Sequence, residues 1–142
     1  MARVLIIEDC ARARRLLVRI LGVQSHEICV ASDGHEGLCA LSGNSTRQPS
    51  FDVVVTEIFM PQGDGFEMIR AAIRLPRPPK ILVIDHPFSP ATVILRPDYL
   101  RMALELGADR VLANPVRVRT FHATVAELLN ESAARLPLRR VG

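Results

Sequence analysis

Four acidic residues stand directly after apolar runs, where a folded sheet could bring them together. Glu8 and Asp9 follow residues 4–7, Glu57 ends the run "DVVVTE", and Asp85 ends the run "ILVID". A cluster of four carboxylates must bind a cation, raise the pKa values of some members, or turn a member outward. We therefore predict an acidic pocket, with Glu57 at the position where a strand would present a reacting group.

The elements that would position these residues follow from the hydrophobic pattern. Apolar runs typical of buried strands alternate with amphipathic segments typical of helices. The predicted strands are residues 4–7, 28–31, 52–57, 81–85 and 110–113. The predicted helices are residues 10–22, 34–41, 64–75, 99–106 and 116–130. This alternation indicates an α/β fold, a doubly wound five-stranded parallel sheet with five helices, whose site lies beyond the carboxyl ends of the strands.

Length and composition favour one ordinary domain. The chain has 142 residues, 49% of them hydrophobic and 23% charged, which is typical of a globular protein. We predict a domain over residues 1–130 and a flexible C-terminal tail over residues 131–142. No apolar run approaches the roughly 18 residues of a membrane span, and no leader-like region precedes the first strand. We expect a cytoplasmic protein without a membrane partner, and a net charge of +3 is too small to indicate nucleic acid.

The cysteines and the single lysine limit the available chemistry. The spacing between Cys10, Cys29 and Cys39 matches no metal-ligand motif, so we interpret them as reduced thiols, buried or half-buried. Of the 18 basic residues all except Lys80 are arginine, which leaves one candidate for a functional lysine.

Four segments in this order resemble the receiver domain of bacterial response regulators. They are "VLIIEDCARARRLL", "ASDGHEGL", "FDVVVTEIFMPQGDGFE" and "ALELGADRVLANP". The resemblance covers roughly residues 2–129. It implies a flavodoxin-like (βα)5 fold and a role in two-component or phosphorelay signal transduction.

The resemblance also implies a site. In the family, an acidic pair after the first strand and an aspartate at the end of the third strand bind Mg²⁺, and the aspartate takes a phosphoryl group from a histidine kinase. A Ser/Thr and a Lys then hold the phosphoryl oxygens. Here the acidic pair is kept as Glu8 and Asp9, and the "MPQGDG" loop, residues 60–65, is kept as well.

The other functional positions depart from the family pattern. The phosphoacceptor position is Glu57, the Ser/Thr position is Asp85, and the lysine position is Asn114, still followed by proline. The aromatic switch position three residues before that lysine is Val111. The resemblance therefore indicates an atypical receiver, a pseudo-receiver in which the parts that accept and hold phosphate have changed together.

These substitutions oppose phosphoryl transfer. Glutamate carries its carboxylate about 1.5 Å further out than aspartate, and a misplacement of about 1 Å can cost about a hundredfold in rate. A carboxylate at Asp85 would repel a phosphoryl group, by about 4 kcal/mol per pair of unit charges 4 Å apart. Asn114 lacks the charge of lysine. We expect no ordinary phosphorylation at Glu57, and a receiver locked in one state rather than a mimic of the phosphorylated one.

Two states of the pocket remain open from the sequence. In one, Mg²⁺ or Ca²⁺ binds through Asp9, Glu57 and the carbonyl of Phe59. In the other no cation binds, and Asp85 points to solvent or pairs with an arginine or with His86.

The leading functional hypothesis is a stand-alone, non-phosphorylated receiver that acts by protein–protein contact. Its partner would be a histidine kinase or a downstream signalling protein, and the chain could form a homodimer through its fourth helix, fifth strand and fifth helix. The first alternative is a phosphorylatable receiver that tolerates glutamate, and the second is a sensor of divalent cations or small ligands that uses the acidic crevice. An enzyme is the least favoured, because no nucleophile–base pair is evident at the strand ends.

Overall fold

Five strands alternate with five helices along the described part of the chain. The computed structural model describes residues 2–22, 26–43, 50–85, 96–113 and 116–135. The strands are β1 (Ala2–Ile7), β2 (His26–Ala31), β3 (Val53–Glu57), β4 (Lys80–Ile84) and β5 (Arg110–Leu112). The helices are α1 (Ala11–Leu21), α2 (Gly34–Ser42), α3 (Gly65–Ile73), α4 (Arg96–Leu106) and α5 (Val118–Ala134).

The strands form one parallel sheet in the order β2-β1-β3-β4-β5. This is the flavodoxin-like order of a doubly wound sheet, so the predicted fold class is confirmed. The strand order reverses where β1 lies between β2 and β3, with Ile7 paired to Thr56. Chain segments leaving β1 and β3 therefore emerge side by side at the carboxyl edge of the sheet, where a ligand site is expected.

Helices cover both faces of the sheet, which explains the unbroken apolar runs of the central strands. Every residue of β3 is buried, as are residues 4–7 of β1. One core cluster joins the sheet to α2, α3 and α4, and the other joins it to α1 and α5.

Three large apolar residues of the helices are exposed. Leu16 in α1, Ile73 in α3 and Val118 in α5 have about half of their surface open, at 50%, 42% and 54%. Leu16 lies beside the buried stripe that begins at Leu17, whereas Ile73 and Val118 are the last and first residues of their helices, where fewer neighbours are available. The buried faces of these helices therefore do not include every large apolar residue.

Three helix ends are marked by a residue that suits the end of a helix. Asp33 caps α2 by accepting a hydrogen bond from the Glu36 backbone N–H at 2.8 Å, and Asp64 caps α3 in the same way. Gly107 closes α4 in a left-handed conformation with φ 132°, which favours glycine.

Helix α5 continues four residues beyond its predicted end. Ser132 is only 2% exposed, and its Oγ donates to Asp52 Oδ1 at 3.3 Å, which ties the last turn to the sheet. The division of the chain at residue 130 stays a prediction, and residues 136–142 of the predicted tail lie outside the described ranges. None of the helices within those ranges is long and apolar enough to cross a membrane.

Candidate functional site

Three of the four predicted acidic residues meet at the carboxyl edge of the sheet. Glu8 and Asp9 leave β1, and Glu57 ends β3, the neighbouring strand. One carboxylate oxygen of each residue lies within 4.8 Å of those of the other two. Glu57 is 0% exposed and Glu8 is 1% exposed, so Asp9 is the member through which solvent reaches the group. We call these three residues the acidic cluster.

Asp85 does not join the acidic cluster. It follows β4 directly, and its backbone N–H donates to the Leu112 carbonyl at 3.0 Å. Its side chain lines an apolar cavity between α1 and α5 that Glu8 also borders. Asp85 thus borders the same cavity as Glu8 but lies outside the group of three carboxylates, and its place in the acidic pocket stays a prediction.

The remaining predicted positions differ in what can be described. Phe59 is 42% exposed, and its ring meets Tyr99 of α4 edge to face, with centroids 4.8 Å apart. Val111 is half-buried in β5 opposite Val83, and it packs against the core beneath α2, α3 and α4. Asn114 and His86 lie outside the described residues.

Backbone hydrogen bonds hold the two buried carboxyls differently. Oε2 of Glu8 accepts from the Cys10 backbone N–H at 3.0 Å. Oε1 of Glu57 accepts a longer bond, 3.4 Å, from the Asp9 backbone N–H. Oε2 of Glu57 is buried and has no hydrogen-bond partner among the described residues. A buried polar atom without a partner is costly, and a bound cation or a proton on this oxygen would remove that cost.

The environment strongly disfavours the charged form of Glu57. Burial, followed by the neighbouring carboxyls of Asp9 and Glu8, raises the pKa of Glu57 to about 11. Burial also raises the pKa of Glu8 to about 7, although the hydrogen bond from Cys10 acts in the opposite direction. Without a cation, Glu57 therefore keeps its proton at neutral pH.

The loop between β3 and α3 fixes the position of Glu57. Gln62 and Gly63 adopt positive φ angles of 61° and 127°. A Cβ atom at Gly65 would clash with the carbonyl oxygen of Glu57 and would lie 2.8 Å from Ile58 Cα. Sequence reasoning assigned no role to this glycine, although the close spacing in "GDG" is a signal of a tight turn.

The only lysine of the chain lies at the opposite edge of the sheet. Lys80 begins β4, about 13 Å along the strand from the carboxyl edge. Its Nζ pairs with Asp109 at 3.5 Å and with Glu131 at 3.6 Å. Lys80 therefore forms ion pairs at that edge of the sheet and supplies no charge to the acidic cluster.

The donor set of the acidic cluster fits a hard divalent cation. Carboxylate oxygens are the ligands that Mg²⁺ and Ca²⁺ prefer, and Oε2 of Glu57 has no hydrogen-bond partner in the part of the chain that the structure describes. Asp9 and Glu57 would supply two of the ligands. A bound cation would replace the proton on Glu57 and would stabilise the ionised carboxylate.

Comparison with known proteins identifies close similarity along most of the chain. A family model described as the response regulator receiver domain matches residues 4–126. Protein-glutamate methylesterase/protein-glutamine glutaminase 2 of Burkholderia thailandensis is 33% identical over 144 residues, covering 94% of this chain and 37% of that protein. Transcriptional regulatory protein AfsQ1 of Streptomyces coelicolor is 30% identical over 129 residues, covering 91% of this chain and 52% of that protein. The chain thus spans about half, or less, of the length of these relatives.

Solved structures agree with the observed fold. The crystal structure of a response regulator receiver domain protein from Clostridium thermocellum superposes with a TM-score of 0.78, covering 96% of this chain and 100% of that one. The two sequences are 22% identical, so this similarity supports the fold alone.

Proposed function

Because the chain belongs to the response regulator receiver domain family, we propose that it is an atypical receiver that signals by protein–protein contact without ordinary phosphorylation. Receiver domains act in two-component signalling, interact with histidine kinases and other proteins, and bind Mg²⁺ at their acidic site. The observation that carries the proposal is the fully buried Glu57 at the phosphoacceptor position, whose pKa burial raises to about 11.

A protonated Glu57 fails in both roles that its position suggests. A neutral carboxyl group is a poor nucleophile, because attack on a phosphoryl group needs the carboxylate. It is an equally poor imitation of phosphoaspartate, since a phosphoryl group carries about 1.5–2 negative charges and the protonated glutamic acid carries none. The cation-free pocket is therefore held in one electrostatic state, and this favours a locked receiver over a mimic of the phosphorylated one.

A bound cation changes the charge of Glu57 but does not restore the phosphoryl site. Asp9, Glu57 and the Phe59 carbonyl would hold Mg²⁺ or Ca²⁺, which supplies positive charge at the pocket floor. Asn114 would still lack the charge of the family lysine, and Lys80 is paired at the other edge of the sheet. The switch positions Asp85 and Val111 also lack the hydroxyl and the aromatic ring that would respond to phosphate.

The remaining features of the proposal concern partners. The chain would bind a histidine kinase or a downstream signalling protein, or a second copy of itself through the face of α4, β5 and α5. We propose no enzymatic activity and no nucleic-acid binding for this chain, and a cytoplasmic location.

Incubation with acetyl phosphate tests the proposal. Intact mass spectrometry of the unchanged protein with Mg²⁺ is expected to give no adduct of about 80 Da, the mass of one phosphoryl group. The matched control is the triple variant Glu57→Asp, Asp85→Thr, Asn114→Lys, which restores the family residues and is expected to gain the adduct. An adduct on Glu57 of the unchanged protein would overturn the proposal.

A divalent-cation sensor is the second candidate, and the contact between Phe59 and Tyr99 favours it. Phe59 lies two residues after Glu57, and its ring touches α4, which lies on the face proposed to bind partners. A cation coordinated by the Phe59 carbonyl would therefore affect α4 through the contact between the Phe59 and Tyr99 rings.

Tyrosine fluorescence reports this contact directly. Tyr99 is the only tyrosine and the chain has no tryptophan, so the emission comes from one residue. Millimolar Mg²⁺ or Ca²⁺ is expected to change the Tyr99 emission, because the Phe59 ring would shift against it. The change should disappear in Asp9→Asn and shrink in Phe59→Leu, which keeps the carbonyl but removes the ring. Unchanged emission across the titration would rule out this coupling.

A further inference from the structure

Two side chains of metal-binding type lie together on the exposed surface of α2, a helix that contributes no residue to the acidic cluster. His35 and Cys39 are both exposed and are one helical turn apart. Nε2 of His35 lies 3.7 Å from Sγ of Cys39. Residues four apart lie on the same face of a helix, so the backbone presents both donors in the same direction.

The separation of these two atoms matches one edge of a zinc tetrahedron. Zinc binds thiolate at about 2.3 Å and imidazole at about 2.0–2.1 Å, so tetrahedral geometry places the two ligand atoms about 3.6 Å apart. The observed separation of 3.7 Å agrees with this distance. We propose that His35 and Cys39 form half of a zinc site that a second copy of the chain completes.

The second copy follows from the number of ligands. Structural zinc sites take four protein ligands, and a Cys₂His₂ set is among the commonest. Within one chain, no third His, Cys, Asp or Glu of the described residues joins this pair. Two copies related by a twofold axis would supply two thiolates and two imidazoles. Two thiolates also neutralise the charge of Zn²⁺, so the completed site carries no net charge.

On the described surface next to the pair, two neighbouring residues leave room for a second helix. Ser42 and Gly43, which end α2, are small and exposed. The nearby Glu36 is turned back to the helix start, where its carboxylate accepts from the backbone N–H and the hydroxyl of Ser32 at 3.0 and 2.8 Å. Glu36 therefore does not compete for the metal.

The site is chemically distinct from the acidic cluster. Sulfur and nitrogen donors select zinc, whereas the carboxylates of Glu8, Asp9 and Glu57 suit Mg²⁺ and Ca²⁺. Sequence reasoning missed the pair because it considered only the spacing between cysteines. The spacing H-x₃-C, read on a helix, was the available signal.

Zinc titration of the untagged full chain in millimolar Mg²⁺ tests the proposal. Light scattering during size-exclusion chromatography should show conversion of monomer to dimer, with one zinc ion per two chains, and EDTA should reverse it. Co²⁺ in place of zinc should give the visible bands of a tetrahedral site together with thiolate-to-cobalt charge transfer. A zinc-bound monomer, or no zinc uptake at micromolar metal, would overturn the proposal.

Matched variants locate the ligands. Cys39→Ser and His35→Gln should each weaken zinc binding at least tenfold and abolish the zinc-dependent dimer. Because both positions are exposed, the circular dichroism spectrum of each variant should be unchanged. The zinc-dependent dimer should persist in Cys10→Ser and in Glu57→Gln, which separates this site from the acidic cluster. A zinc-dependent dimer that persists in Cys39→Ser would contradict the assignment, as would a dimer that forms equally well in EDTA.

Discussion

Replacing Glu57 by glutamine is expected to stabilise the fold at neutral pH. The raised pKa of about 11 means that the folded protein holds a proton on Glu57 that the unfolded chain, with an ordinary value of 4.5, releases. Each unit between pH and the unfolded value costs about 1.4 kcal/mol, so the cost at pH 7 is about 3 kcal/mol. Glutamine has nearly the same shape, is neutral at every pH, and removes this cost.

The sign of the pH dependence follows from the same shift. A carboxyl whose pKa is raised by folding does not destabilise the folded state at a pH below its unfolded pKa. As the pH rises above that value, it destabilises the folded state increasingly. The unchanged protein should therefore lose stability from about pH 4.5 upward, while Glu57→Gln should lose less. Urea unfolding in EDTA should show a difference below about 1 kcal/mol at pH 5 that grows to about 3 kcal/mol at pH 7.

Two controls make this result specific. Glu127→Gln removes an exposed carboxyl from α5 and should change the free energy of unfolding by less than about 0.5 kcal/mol at either pH. Adding Mg²⁺ should stabilise only the protein that keeps Glu57, because the cation replaces the proton and binds the folded state. A glutamine variant that is less stable than the unchanged protein at pH 7 would show that Glu57 is ionised and satisfied in the fold.

The sheet could be predicted from the sequence because its signal is local and strong. Buried parallel strands read as unbroken apolar runs, and residues 53–57 and 81–84 were recognised in this way. Their common edge then followed from topology, which brought Glu8, Asp9 and Glu57 together without any contact being known. Helix ends were also predictable wherever a side chain caps them, as Asp33 and Asp64 do.

What could not be predicted depends on distances between elements. The group of three carboxylates does not include Asp85, although Asp85 also follows its strand directly and borders the same cavity as Glu8. The end of α5 was missed because Ser132 is held by Asp52, 80 residues earlier in the chain. The raised pKa of Glu57 comes from its burial, which the residue type alone does not indicate.

Gly65, which lies directly against the end of β3, should not accept a side chain. It begins α3 with a φ in the ordinary range, so its requirement is for space and not for a left-handed conformation. A Cβ there would clash with the carbonyl of Glu57 and lie 2.8 Å from Ile58 Cα, and both of these are backbone atoms of the strand end that cannot rotate away. We expect Gly65→Ala to lower the free energy of unfolding by more than about 2 kcal/mol, an overpacking effect.

Gly37→Ala is the matched control, because Gly37 is also buried within a helix. Its Cβ would lie 2.9–3.0 Å from the Met68 sulfur and from two Ile7 methyl groups, which are side-chain ends that can move. Alanine also gains up to about 1 kcal/mol over glycine in a helix, so we expect a net change within about 1 kcal/mol. Urea unfolding of both variants measures the difference in the free energy of unfolding. Equal losses of stability would show that a clash with backbone atoms is not the reason why position 65 needs glycine. If Gly65→Ala alone also weakens the Tyr99 response to Mg²⁺, the same glycine sets both the strand end and the position of Glu57.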